Sequence, residues 1–247
     1  MLTTPPHLAL STLSVSPSSP PKKVIEWASG AGFRGILLDS ARAGIRPRDL
    51  DRSARRGLAS ALRRLELTLA GLELWIPPQH YASAQHAERA LAAVLSSIDL
   101  LAELAALVET DRTLTLNLPQ QDADDAIATI IETAHRAEIT IASATWPPRE
   151  STDDAPIGVA LDPRAILRNG DDPISIAAAS ITPPAAARWS YASRRPEEVL
   201  DPLGYASSLA VAGFKGAVAL DLRDAVDPET DAQAALDAWA QADPFHS

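Results

Sequence analysis

Three apolar runs of this chain stop on a carboxylate: Ile36-Leu37-Leu38-Asp39, Val159-Ala160-Leu161-Asp162 and Val218-Ala219-Leu220-Asp221. Each run has the length of a buried strand. If the three are parallel, their acids gather at one rim, where α/β proteins place their chemistry. Structural work is equally open to them. Asp162 stands directly before Pro163, the pattern of a helix cap followed by a first helical position. Asp221 is followed by Leu222-Arg223, so an ion pair with Arg223 or another rim Arg accounts for it as well, and Asp39 reads first as a structural acid. Of the five His residues only His80 falls just past a candidate strand. An imidazole titrates close to neutral pH and suits general acid/base work, a plain surface histidine being the alternative. No G-x-S-x-G elbow or H-E-x-x-H pair occurs, so neither a serine hydrolase nor a zincin is supported.

The elements that must position these groups alternate. Residues 8–15 read as strand one, and a proline-rich turn then caps a helix running to about Ala31. The strand ending at Asp39 comes next, and Leu50, Ala54, Leu58, Leu62 and Leu65 recur at helical spacing within 48–66. Strand three covers 67–76, and 83–108 carries the apolar face Ala87, Leu91, Val94, Leu95, Ile98, Leu101 and Ala105 of a long helix. Strand four covers 113–118, a helix with acids at its start 122–137, and strand five 139–144. The loop 146–156 leads into strand six with no helix between. A short helix at 163–169, strand seven at 174–181, a Pro/Ala/Arg loop, a helix at 202–212, strand eight and a last helix at 227–239 complete the order. Eight such strands in this length predict an α/β fold, a (β/α)8 TIM barrel forming one domain over residues 1–247, irregular around strands five to seven. Strands two and eight share one entry, Ala31-Gly32-Phe33-Arg34-Gly35 and Ala212-Gly213-Phe214-Lys215-Gly216. The first Gly of each suits the left-handed end of a helix.

Composition narrows the partners. Hydrophobic residues make up 46% of the chain and aromatics only 4%, so the core is built from Ala, Leu, Val and Ile. Twenty-two Lys and Arg against 32 Asp and Glu leave a net charge of −10, which repels a phosphate backbone and argues against nucleic acid. The absence of Cys excludes disulfides, thiolate nucleophiles and Cys-ligated zinc. No run approaches the roughly 20 apolar residues of a membrane span and residues 1–6 lack a signal-peptide pattern, so the expected setting is cytoplasmic, with no membrane partner.

The stretches at 32–39, 158–162 and 213–221 together resemble the sugar-phosphate isomerase/epimerase barrels related to xylose isomerase and endonuclease IV. The resemblance implies a divalent metal at the strands' C-terminal rim, held by Glu, Asp and His, assisting proton transfer beside a sugar carbonyl. Asp162 matches the strand-six Asp, but the His three positions on is Ala165. The strand-five Glu is replaced by Ser143-Ala144-Thr145, residues 177–182 supply no strand-seven His, and Asp221 stands where Glu is common. Asp162 and Asp221 alone would hold Mg or Mn weakly, or no metal at all. In this frame His80 moves protons, while Trp75, Asn117 and Trp146 line a pocket for a sugar ring and its hydroxyls, or plug the barrel mouth. Arg188 offers a cation to a phosphate or carboxylate, unless Arg194 and Arg195 mark a merely charged loop. Two functions follow as expectations: a divergent isomerase/epimerase acting on or binding a small sugar, polyol or its phosphate, and a non-catalytic binding or scaffolding protein that has lost the metal site. Endonuclease action conflicts with the charge.

Overall fold

The computed structural model describes residues 6–16, 19–149, 157–191 and 200–242. Eight parallel strands close into a barrel in chain order: β1 (Leu8–Ser11), β2 (Gly35–Asp39), β3 (Thr68–Leu74), β4 (Thr113–Leu116), β5 (Thr140–Ser143), β6 (Gly158–Leu161), β7 (Ala186–Ser190) and β8 (Val218–Asp221). Pairing of Leu8 with Val218 and of Leu10 with Leu220 seals β1 against β8. Outside run α1 (Pro21–Ala31), α2 (Arg52–Arg64), α3 (Ala87–Ala105), α4 (Asp124–Arg136), α5 (Pro163–Arg168), α6 (Pro173–Ala179), α7 (Pro202–Val211) and α8 (Pro228–Gln241). The chain is therefore a (β/α)8 barrel. Its irregularity lies around strands five to seven: residues 144–149 and 157 contain no helix, while α5 and α6 both fall between β6 and β7.

The duplicated joint is built twice as its glycines require. Gly32 (φ +99°) and Gly213 (φ +78°) take the left-handed conformation. Phe33 and Phe214 return their N–H groups to Ala28 and Leu209 and bury their rings. Gly30, Gly32 and Gly35 have the G-x-G-x-x-G spacing, but here it leads from a helix into a strand, the reverse of the dinucleotide-binding order.

Strand seven is the main departure from expectation. Residues 174–181, read as a strand, contain α6, and the strand is Ala186–Ser190. The cause is local. Asp172 caps α6 by accepting from the N–H groups of Ile174 and Ser175, and Pro173 supplies the preset φ of the first helical position. Asp162-Pro163, Asp201-Pro202 and Asp227-Pro228 start helices in the same way. Strand one is also shorter than 8–15, because Ser11 caps a 3-10 turn, Thr12–Ser14. Between barrel and helices the core is aliphatic, with Trp189, fully buried, packed on Trp239 at 5.1 Å between ring centroids. Arg194, Arg195, His246 and residues 150–156 lie outside the described residues.

Candidate functional site

The barrel interior is lined with small side chains. A cavity of about 20 Å³ lies among twelve residues, seven of them alanines (Ala70, Ala144, Ala160, Ala186, Ala187, Ala217 and Ala219), the others including Leu37, Thr115, Asp162 and Arg188. Barrels usually fill this space with layers of branched aliphatic residues. Here the long Arg188 side chain enters it from the middle of β7, 5% exposed.

A bulge aims the acid that receives it. Ile36 pairs with Leu69 but Leu38 pairs with Leu72, so β3 carries one extra residue at this point. Ala70, before the bulge, lines the interior. Without the extra residue, alternation would turn Glu73 outward; with it, Glu73 lies in register beside Asp39 and faces the barrel axis. Gly71 adopts φ +109°, and a Cβ there would lie 2.2 Å from the Thr113 carbonyl oxygen, so only glycine fits.

Glu73 is fully buried and accepts three charge-assisted hydrogen bonds. They come from the Ser11 hydroxyl (2.5 Å), the Trp75 indole N–H (2.8 Å) and Arg188 Nη2. Asp221, at the end of β8 and also fully buried, lies 3.2 Å from Arg188 Nη1 and accepts from Arg223 Nε (2.9 Å) and Nη2 (2.6 Å). Arg164 Nη1 stands 3.8 Å from Asp221, and its Nη2 pairs with Asp224 at 2.8 Å. Burial pushes the Asp221 carboxyl up, but Arg188, Arg223 and Arg164 outweigh it and hold the group well below the usual carboxylate range. For Arg188 burial opposes the charge, and Glu73, Asp221 and Asp162 reverse that effect, keeping the guanidinium charged above its ordinary value. The Trp75 ring covers the pair, 5.0 Å from the Arg188 guanidinium and 5.7 Å from that of Arg223. Arg188 Nη1 and Arg164 Nη2 meet Asp221 and Asp224 as ion pairs without hydrogen-bond geometry, while Ser190 Oγ, the Tyr205 hydroxyl and Arg164 Nε have no hydrogen-bond partner among the described residues.

Five of the eight residues singled out from sequence come together here. Asp221, Arg188 and Trp75 belong to the network. Asp162 caps α5 through the Arg164 N–H (3.0 Å), lines the cavity and acts electrostatically on Arg188 and Tyr205. Asp39 sits beside Glu73 and accepts from the Ala41 N–H at 2.8 Å; burial first, then Glu73, raises its carboxyl above the ordinary value. Arg188 is within strand seven and ion-paired, not on a loop beyond it. The other three lie apart. His80 stacks on His86 at 4.5 Å, Asn117 accepts from the Thr145 hydroxyl, and Trp146 donates to Asp171. Glu73 and Ser11 went unrecognised in the sequence. The signal for Glu73 was a single charge inside the apolar run Leu69-Ala70-Gly71-Leu72-Glu73-Leu74.

The donor set does not suit a divalent ion. Glu73 is ion-paired to Arg188, and Asp221 to Arg188, Arg223 and Arg164, so the charge of both acids is already met by guanidiniums. Both Asp221 oxygens accept from Arg223, and the point between Glu73 and Asp221 is taken by Arg188. Among the described residues no group of three or more His, Asp or Glu converges with room for a metal.

No protein-family model matches the chain, and no curated protein sequence matches it. Solved structures do. D-psicose 3-epimerase in the presence of D-fructose superposes with a TM-score of 0.73 at 12% identity, over 96% of this chain and 99% of the other. L-ribulose 3-epimerase gives 0.70 at 17% identity, over 96% and 95%. A xylose isomerase domain protein from Planctomyces limnophilus gives 0.68 at 11% identity, over 97% and 98%. The chain therefore shares the (β/α)8 barrel fold of these proteins across nearly its whole length. Among the described residues no helix is long and apolar enough to cross a membrane.

Proposed function

We propose that this chain binds a small neutral sugar or polyol at the C-terminal rim of its barrel. One observation carries the reading: the guanidiniums of Arg188 and Arg223, with their carboxylate partners Glu73 and Asp221, are grouped about the partly exposed indole of Trp75. Hydroxyl groups both give and accept hydrogen bonds and suit such a rim, while the apolar face of a sugar ring suits the indole. The class of fold, shared with proteins that act on ribulose and psicose, supports the same ligand chemistry. A phosphorylated sugar is disfavoured, because each guanidinium already has a carboxylate partner.

Binding without turnover is the better account of this rim. A base that removes a proton beside a carbonyl needs a free lone pair; Glu73 spends its oxygens on Ser11, Trp75 and Arg188, and Asp221 on Arg223. Asp39 supports a second, catalytic reading, since its carboxyl is raised, it lies at the end of β2, and among the described residues one of its oxygens accepts only the Ala41 N–H. The deciding experiment follows tryptophan fluorescence and saturation-transfer NMR with D-fructose, L-ribulose, xylitol and fructose 6-phosphate. The neutral compounds are expected to bind and Trp75→Ala to abolish binding; preference for the phosphate, or no binding at all, overturns the reading. Incorporation of solvent deuterium next to the ketose carbonyl, lost in Asp39→Asn, would establish the catalytic version.

A further inference from the structure

We propose that the Arg188 guanidinium is the resident cation of this rim, taking the place of a metal ion between Glu73 and Asp221, so that the site works independently of metal. Three features of the fold converge on it. First, Glu73 and Asp221 come from β3 and β8, and Arg188 is the side chain that joins them, within 3.2 Å of Asp221 and hydrogen-bonded to Glu73. Both carboxylates have no exposure to solvent, so neither has water to neutralise it. Second, the wall beside Arg188 is alanine at Ala160, Ala186 and Ala219, leaving width for one long extended side chain and about 20 Å³ besides. Third, the bulge at Gly71 exists at the one point where it turns Glu73 toward that guanidinium. A guanidinium delivers one fixed charge with planar, directional N–H groups, and it is not removed by chelators.

Metal titration tests the assignment without any sugar. The wild-type protein, before and after EDTA treatment, is expected to melt at one temperature, and to show no heat of binding with Mn2+ or Mg2+ in calorimetry. Arg188→Ala removes the cation and leaves Glu73, Asp162 and Asp221 around an alanine-lined space. This variant is expected to gain a Mn2+-dependent rise in Tm of about 5 °C at saturating metal. Arg188→Lys keeps a positive charge and is expected to fold and remain blind to Mn2+. Stoichiometric Mn2+ binding by the wild type overturns the proposal, as does a folded Arg188→Ala that ignores Mn2+. If Arg188→Ala does not fold, the wild-type and Arg188→Lys titrations decide. Sugar binding that requires Mn2+ would overturn the metal-free site while leaving the carbohydrate reading intact; no sugar binding with the metal results as expected would do the opposite.

Discussion

Replacing Arg188 by Met isolates the electrostatic work of the central guanidinium, because Met keeps most of the aliphatic stem in the alanine-lined cavity and removes only the charge. Glu73 and Asp221 have no exposure and Arg188 has 5%, so solvent screens the pair little. Asp221 retains Arg223 and Arg164, whereas Glu73 keeps only the Ser11 hydroxyl and the Trp75 N–H. Stranding one partner of a buried ion pair costs about 3–5 kcal/mol. In a domain of this size each kcal/mol moves Tm by about 2–4 °C, so Arg188→Met is expected to melt about 6–20 °C below the wild type at pH 7.5. Glu73→Gln added to Arg188→Met removes the stranded charge, its amide oxygen accepting from the Trp75 N–H and its NH2 donating to the Ser11 oxygen, and should recover more than half of the loss, since neutral replacement of a whole buried pair is often tolerated. Urea unfolding followed by circular dichroism supplies the free energies for the full double-mutant cycle. A loss below about 1 kcal/mol in Arg188→Met, or a double variant worse than the single, would refute the reasoning.

Gly71→Ala should destabilise by more than about 2 kcal/mol or prevent folding, since a Cβ would meet the Thr113 carbonyl at 2.2 Å in a left-handed conformation; equilibrium unfolding measures it, and a near-neutral result would disprove the bulge. Arg42→Met removes donors to the carbonyls of Thr12 (2.8 Å), Val15 (3.1 Å), Ser16 (2.5 Å) and Ser19 (2.9 Å), and is expected to cost about 2–4 kcal/mol, with faster amide exchange in the loop between β1 and α1. Asp39, whose folded-state carboxyl is raised by burial and then by Glu73, favours folding fully only below the ordinary carboxylate value of about 3.9, and this contribution is lost as pH rises through the folded-state value. Asp39→Asn should therefore raise Tm at pH 7 and leave it unchanged near pH 3, and a fall at pH 7 would contradict the assignment.

Most of the barrel was legible because its signals are local. The two Gly-Phe-Lys/Arg-Gly joints, the three runs ending in Asp, and the apolar stripe of α3 each depend on neighbours within a few residues, and each formed where its pattern lay. Strand seven was not legible by the same means. Ile174 and Ile176 alternate like a strand, but Asp172-Pro173 is a stronger local instruction to start a helix. Ala186-Ala187-Arg188-Trp189-Ser190 reads as loop because a charge interrupts it; that charge is tolerated in a barrel strand only because Glu73, 115 positions earlier in the chain, lies opposite. The ion pair of Asp221 with a rim arginine was readable from Leu222-Arg223, whereas its second partner, Arg188, required the closed sheet to bring β7 beside β8.

The alanine wall and the central arginine explain each other, and together they account for the low aromatic and high alanine character of the inner strands. A barrel whose β5 to β8 side presents Ala142, Ala144, Ala160, Ala186 and Ala219 would leave a void if its centre were apolar, and voids cost stability in proportion to their volume. A branched aliphatic residue at 188 would fill part of that void but would bury Glu73 and Asp221 without a counter-ion. Large aliphatic residues at the alanine positions would exclude the arginine. The wall, the bulge at Gly71 and the two acids therefore form one dependent set, in which changing any single member leaves either a cavity or an unpaired charge. Within this set Arg188 supplies the positive charge between Glu73 and Asp221, and Arg223 and Arg164 hold Asp221 as well.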